Sequence, residues 1–343
     1  MRFGIFDHLD DSGVPVAEHF ENRLRLVEQY DRCGFESYHI AEHHGTPLGF
    51  APSPAVFLSA VAQRSRRLRL GPLVFLLPLY HPLRLIEEIC MLDQMSGGRF
   101  DLGVGRGISP IEVSLFGVDA SETMPRYQEA LQVILQGLCS DILTHQGRFY
   151  HLDRVPIVMK PVQRPHPPLW YGISNPDTST WAAAHDVNVV GLSAAARLRN
   201  ITDRYRREWR SLDKPEAALP KLGAMRHMVV AESESEARAE ARHAYSSWRA
   251  NMELLWKQRG VPFTLPLPME FDDYQRAGFA FAGTAAGARD FIRELAAAAG
   301  INYLACGVAF GTLALSVSLG TAELLAREVM PAFQESKQAA DPG

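Results

Sequence analysis

Short apolar runs alternate with helical patterns along this chain, and that alternation restricts the fold more than any single residue does. Phe3–Phe6 reads as a strand. Phe20, Leu24, Val27 and Tyr30 then recur at helical spacing, with Gly34 as C-cap. Ser37–Ala41 is a second strand, Ala55–Ala62 a helix and Leu68–Phe75 a third strand. Pro82 suits the first turn of a helix whose apolar face is Leu85, Ile86, Ile89 and Leu92, and Gly97-Gly98 ends it. Strand Arg99–Val104 and helix Met124–Leu138 follow. The second half continues with strand Leu169–Gly172, helix Asp177–His185, strand Asn188–Gly191 and a helix capped by Ser193 that runs to Arg210. Strand Gly223–Val230 leads into a long helix to Lys257, opened by the capping signature Ser233-x-x-Glu236. Helix Ala286–Ala299, strand Tyr303–Val308 and helix Thr321–Phe333 close the pattern.

Alternation of this kind predicts a parallel sheet with helices outside it. Roughly eight repeats with no linker favour a closed (β/α)8 TIM barrel of the α/β class over an open doubly wound sheet. Two stretches depart from the pattern. Residues 140–168 carry turn residues, alternating aromatics and a Pro-rich end, and read as an insertion or hairpin. Residues 260–278 are rich in proline and aromatics and show no period. The expected domain is a single unit over residues 1–335, followed by a frayed tail at 336–343.

Composition excludes several function classes. With 47% hydrophobic and 22% charged residues over 343 positions, the chain can bury a large core and is not disordered. A formal net charge of −4 gives nucleic-acid binding no support. Cys33, Cys90, Cys139 and Cys306 are scattered, without zinc spacing, and read as buried cysteines of a cytoplasmic protein. The opening residues, Met1–Asp11, lack a basic segment followed by an apolar one, so no signal peptide is expected, and the longest apolar run, Leu73–Tyr80, contains Pro78 and is far too short for a membrane span.

Four motifs fall at strand ends, where a barrel places its chemistry. Ala41-Glu42-His43-His44 puts titratable groups after the second strand, and a histidine there can act as acid, base or charge stabiliser. Leu70–Pro82 is an apolar strand running into a loop, fit to support the flat face of an aromatic cofactor. Gly103-Val104-Gly105-Arg106-Gly107 allows close backbone approach to a ligand, with Arg106 able to pair with a phosphate. It is not a dinucleotide fingerprint, because Ile108 stands where the third glycine belongs. Tyr171–Thr178 ends a strand and opens a helix, a setting that favours an anion.

Together these motifs resemble the bacterial luciferase-like family of flavin-dependent monooxygenases. The resemblance also includes Arg2-Phe3-Gly4-Ile5-Phe6, His81-Pro82, Leu92–Phe100, Ser174–Ala183, Phe310-Gly311-Thr312 and Arg327–Phe333, in order over nearly the whole chain. It implies a barrel that uses reduced FMN, supplied by a separate NAD(P)H:flavin reductase. Oxygen would react to give a C4a-peroxyflavin, which oxygenates a small organic substrate. His43 matches the family's catalytic histidine, with His44 in support. Glu42 matches a residue lining the flavin region, and Leu73 and Val74 match a non-proline cis peptide beneath the ring. Gly105, Arg106, Arg126, Gly172, Ile173, Ser174, Asn175 and Thr178 fall in the cofactor-binding set, the phosphate lying with Arg106, Arg126, Ser174, Asn175 and Thr178.

The resemblance further implies a homodimer through helices beside the second to fourth strands. It also implies a mobile lid over about 257–280, where Trp256, Phe263, Phe271, Tyr274 and Phe279 would cover the flavin. Gly105 departs from the light-emitting members, which carry a reactive cysteine there, so aldehyde luminescence is not implied. Three other readings stand beside this one. They are deazaflavin-dependent hydride transfer on the same fold, a metal-dependent hydrolase using His8, His43 and His44 together with His185 or Asp7, and a non-catalytic partner subunit.

Overall fold

The first β/α unit sets the pattern for the rest. In the computed structural model, which describes residues 1–263, 265 and 267–333, β1 (Arg2–Asp7) feeds α1 (Val16–Cys33). Gly34 ends that helix at φ 78°, a left-handed conformation that glycine adopts without a Cβ clash. Then follow β2 (Ser37–Ile40), α2 (Pro54–Arg64), β3 (Arg69–Pro72), β4 (Phe75–Leu76), α3 (Pro82–Ser96), β5 (Leu102–Gly105), α4 (Pro110–Leu115) and α5 (Thr123–Cys139). An antiparallel hairpin, β6 (Ile142–Gln146) and β7 (His151–Pro156), fills the insertion. The second half runs β8 (Leu169–Gly172), α6 (Thr178–Ala184), β9 (Asn188–Gly191), α7 (Ala195–Ser211), β10 (Leu222–Val230), α8 (Glu234–Gln258), α9 (Phe271–Arg276), β11 (Ala280–Gly283), α10 (Ala285–Ala299), β12 (Tyr303–Gly307) and α11 (Leu315–Leu324).

The sheet is parallel and its order is β3-β2-β1-β12-β10-β9-β8-β5-β4. Its two ends meet. β3 and β4 are consecutive in sequence, and β4 pairs with β5 through Phe75↔Val104, while Leu70 of β3 exchanges backbone hydrogen bonds of 3.0 and 2.8 Å with Arg99 and Asp101. The expected third strand, Leu68–Phe75, is thus two short pieces sharing one place in the wall, separated by the cis peptide Leu73-Val74. Counting that pair once, eight places close the barrel, and β11 hangs outside the ring on β10. β10 is long enough to hold three neighbours: its start pairs with β9 and β12, and its far end, His227–Val230, pairs with Ala280–Gly283.

The barrel interior packs Phe6, Leu73, Trp170, Met225 and Tyr303. Glycine is required where this packing is tightest: a Cβ on Gly4 would lie 1.8 Å from the Tyr303 hydroxyl, which itself bonds Ser37 Oγ at 2.7 Å. The larger apolar layer lies between strands and helices, with Leu26, Tyr30, Leu58, Ile86, Ile134, Leu198 and Ile292 all buried.

Several expectations are corrected. α4, α9 and β11 are not among the expected elements, because at four to six residues each is too short to show a period. The residue capping α7 is Ala194, not Ser193, whose carbonyl instead accepts from the buried Arg226 guanidinium at 2.9 Å. The last long helix starts at Leu315, ahead of Thr321. Cys139, at the end of α5, is exposed and Cys33 is half-buried, whereas Cys90 and Cys306 are buried as expected. The expected tail at 336–343 lies outside the described residues. Among the described residues no helix is long and apolar enough to cross a membrane.

Candidate active site

The strand ends converge on a cavity of about 260 Å3, just below the roughly 300–1,000 Å3 of small-molecule sites. Phe6 and His8 enter it from the end of β1, and Ala41, Glu42 and His43 from the end of β2. Leu73, Val74 and Leu76 enter at the break between β3 and β4. Gly105, Arg106 and the loop to α4 form a third side, Tyr171–Ser174 a fourth, and Val190, Leu192 and Ser193 complete the ring.

His43 is held by Glu112, a residue the sequence pattern does not single out. Nδ1 of His43 lies 3.2 Å from both carboxylate oxygens, and the His44 amide donates to one of them at 2.9 Å. Burial works against the Glu112 charge, but His43 and the bonds from His43 and His44 outweigh it, and its carboxyl is held below the ordinary glutamate value. An ionised acceptor at Nδ1 puts the ring proton there and leaves Nε2 for chemistry in the cavity. A signal for Glu112 was present: Ser109-Pro110-Ile111-Glu112 has the spacing of a capping box. Ser109 Oγ does accept from the Glu112 amide at 3.3 Å, but the Glu112 side chain turns to His43 instead of back to the helix start.

Glu42 borders the cavity, yet its carboxylate faces the protein. One oxygen meets His44 Nε2 at 2.9 Å, and the other accepts from the Leu76 amide at 3.1 Å and the Tyr80 hydroxyl at 2.9 Å. Glu42 therefore ties the β2 loop to β4, directly after the cis peptide. Burial raises its pKa, and these partners oppose that rise. His44 packs edge-on against Phe116, its ring meets Glu42 and its amide donates to Glu112.

His8 stacks on His43 with ring centroids 5.6 Å apart. Burial, then the nearby His43 and His227, push its pKa well below the usual value, so it stands in the wall as a neutral ring. Beside the end of α8, His43 and Glu112 also border a small space with Met252, Leu255, Trp256 and Leu265. Of the five aromatics expected to cover the cavity, Trp256 borders this space and Phe263 packs edge-on against it. Phe271, Tyr274 and Phe279 turn away from the mouth: the first two are buried with Tyr245, and Phe279 stacks on Tyr274 at 5.4 Å.

The anion-binding set divides in the structure. Arg106, Gly172, Ile173 and Ser174 line the cavity. Asn175 does not; its side chain accepts from the Asp177 amide at 3.0 Å and shapes the turn into α6. Thr178 starts α6 and faces a neighbouring groove between helices. Arg126 is engaged elsewhere, 3.0 Å from Glu122 and 4.4 Å above the Phe149 ring. Arg197, not expected from the sequence, donates to the Ser174 carbonyl at 2.8 Å and brings a second guanidinium to this edge.

Gly105 has no Cβ for a reason inside the protein: that atom would lie 2.4 Å from Cγ2 of Val74. Gly172 is different, since a Cβ there would meet nothing within 4 Å. The donor set fits a flavin. Val74 and Leu73 offer an apolar face, and Arg106 with Ser174 offers charge and a hydroxyl for a phosphate. Among the described residues no three His, Cys, Asp or Glu side chains gather in a way that would hold a metal ion. His185 in particular lies on α6's outer side, bonded to the Trp181 carbonyl at 2.8 Å.

Comparison with known proteins agrees with this architecture. The protein y4wF of Sinorhizobium fredii is 43% identical over 330 residues, covering 96% of both chains. The oxygenase component of the flavin-dependent trigonelline monooxygenase of Acinetobacter baylyi is 25% identical, covering 98% of this chain and 97% of that one. The crystal structure of monooxygenase RslO1 from Streptomyces bottropensis superposes with a TM-score of 0.88 at 25% identity, covering 97% of this chain and 100% of the other. The model of the luciferase-like monooxygenase family matches residues 1–303. With the barrel, the cavity at its strand ends and this match in hand, the chain belongs to the luciferase-like monooxygenase family.

Proposed function

We propose that the protein is the oxygenase component of a two-component system that uses reduced FMN and O2 to oxygenate a small organic substrate. The observation that carries this is the pairing in one cavity of a carboxylate-backed histidine, His43–Glu112, with an apolar face at Leu73-Val74 and a cation at Arg106. When bound and reduced, the flavin supplies the two electrons with which one atom of O2 enters the substrate and the other leaves as water. Arg106, Ser174 and Gly172 would hold its phosphate end, and Leu73, Val74 and Phe6 its ring.

The residues of the chain then do three things. Leu76, Val190 and Ile108 limit water in the cavity, which strengthens electrostatic interactions inside it. Glu112 fixes the ring of His43 and balances positive charge on it. Nε2 of His43 is the atom positioned to hold or hand over a proton. The whole chain acts as one unit, with an NAD(P)H:flavin reductase supplying the reduced cofactor. Exposed apolar side chains on α2 and α3, Val56, Met91 and Met95, support a homodimer through those helices.

The test is His43→Ala in the flavin-loaded enzyme. FMN affinity should stay nearly intact while product formation falls strongly; unchanged turnover removes His43 from the chemistry. The His43–Glu112 pair equally suits hydride transfer to a deazaflavin, because it can take the proton of an alcohol. Substrate-dependent oxygen uptake with FMN supports the oxygenase reading. Anaerobic turnover with deazaflavin in place of FMN overturns it. A chain that binds no flavin by itself is a partner subunit.

A further inference from the structure

His8 is a buried titratable group that the proposed chemistry leaves unused. It follows β1, is 6% exposed and borders the cavity beside Phe6 and His43. Trp248 of α8 fixes its tautomer. An indole N–H donates and cannot accept, and Nε1 of Trp248 lies 3.5 Å from Nδ1 of His8, so Nδ1 is the acceptor. Burial keeps the ring neutral, helped by the neighbouring His43 and His227. The one ring proton then sits on Nε2. Nε2 has no hydrogen-bond partner among the described residues, yet it is not among the sealed, unpaired polar atoms either, so it opens to the cavity that the ring borders.

His8 and His43 thus offer complementary groups to one space, their rings stacked with centroids 5.6 Å apart. Glu112 holds the N–H of His43 at Nδ1 and leaves Nε2 as an acceptor, whereas Trp248 occupies Nδ1 of His8 and leaves Nε2–H as a donor. A donor in an apolar wall is costly unless an acceptor meets it. The space alongside is apolar. About 50 Å3 opens past His43 and Glu112 toward Leu48, Met252, Leu255 and Trp256, room for about four non-hydrogen atoms. Its Thr46 hydroxyl is engaged, donating to the Asn251 carbonyl at 3.1 Å and accepting from the Leu48 amide at 3.2 Å. Among the described residues no lysine or arginine borders this space, and the cation that borders the cavity is Arg106, at the phosphate end.

We propose that His8 seats the oxygen of the substrate, and that the substrate is an uncharged molecule with a carbonyl or hydroxyl oxygen at Nε2–H of His8 and a short apolar body against Leu48, Met252 and Trp256. This rests on the oxygenase reading of the cavity and deepens it. An oxygen held by one ring brings its neighbouring atoms to the other, His43. A carboxylate or sulfonate in the same place meets no cation among the bordering side chains. Loss of one such hydrogen bond corresponds to about a tenfold fall in affinity.

NMR titration of the full chain loaded with oxidised FMN tests it, with cyclohexanone, methylenecyclohexane and cyclohexanecarboxylate as probes. The first two share a shape and differ in the acceptor. His8→Phe keeps an aromatic ring without the donor and should raise the Kd of the ketone about tenfold relative to that of the alkene, with FMN affinity unchanged. His8→Gln, which carries an amide N–H near the place of Nε2, should recover part of the loss. Trp248→Phe leaves His8 in place but frees its proton to move to Nδ1, and should shift the same ratio by less; it carries the test if His8→Phe does not fold. A ratio identical in the natural chain and the variants overturns the proposal. So does weakened FMN binding in His8→Phe, which assigns the donor to the cofactor. Carboxylate binding as tight as that of the ketone, or no binding of either neutral probe, overturns it as well. Failure of the natural chain to bind FMN overturns the flavin reading alone, because the ketone-to-alkene ratio is then read in the chain without flavin, where the same shift upholds the part of His8.

Discussion

Nδ1 of His43 sits 3.2 Å from each carboxylate oxygen of Glu112, joining the end of β2 to the third residue of α4. If Glu112 sets the ring's orientation and charge, Glu112→Gln keeps the size and loses the anion. Turnover should fall by about 100-fold or more, with flavin affinity little altered and the pH profile of turnover shifted. Glu112→Asp should recover part of the loss. Equal turnover in Glu112→Gln would make the contact purely structural.

Arg106 and Arg126 both belong to the anion set expected from the sequence, but only Arg106 reaches the cavity. Arg106→Ala should raise the flavin dissociation constant by about tenfold or more, the loss of a charge-assisted contact. Arg126→Ala should leave flavin binding alone and lower thermal stability slightly, since its ion pair with Glu122 is partly exposed. Titrations of the two variants side by side decide the assignment.

Gly105→Cys places a side chain where Val74 already stands, 2.4 Å from its Cγ2. Overpacking of this kind costs about 1–3 kcal/mol, read as a lower melting temperature. Val74→Ala in the same chain should restore part of it. A Gly105→Cys chain as stable as the natural one would mean that Val74 moves aside freely.

Acid should destabilise the fold. Burial lowers the pKa of His19 to about 4 and those of His39 and His227 to about 3, and it takes His8 well below the usual value. The folded chain keeps these rings neutral, whereas the unfolded chain protonates them below pH 6.5. Their contribution is complete above that pH and is lost as pH falls toward 4. Burial raises Asp10 to about 7, and raises Glu42 and Asp101 too, which works in the opposite sense: that contribution fades as pH rises. Four imidazoles outweigh it. Stability should fall by roughly 1 kcal/mol or more per pH unit below about 6, and melting curves at pH 5 and pH 8 measure it.

The barrel is legible in the sequence because its strands are apolar, its helices amphipathic and its helix ends marked by glycines such as Gly34 and Gly97. β11 is not, because Ala280-Phe281-Ala282-Gly283 has no alternation and pairs only with the far end of β10. His43 is found from its place after β2, whereas Glu112 lies 69 residues away and meets it only through the closed ring. Ser193 fails as a cap for a similar reason: its neighbourhood is set by Arg226, distant in sequence. Local chemistry predicts the elements, and contacts across the barrel decide which side chains share a site.

The packing of Val74 over Gly105 has a consequence for durability. None of the four cysteines borders the cavity, and no methionine does. The branched side chain of Val74 occupies the space a thiol at position 105 would need. Sulfur is the side-chain atom most readily attacked by peroxide. Sulfur instead stands one layer back from the cavity, in Met225 packed with Phe6 and Leu73 and in Met252 across from His43, so under the proposed oxygenase chemistry the wall is what keeps oxidant from it.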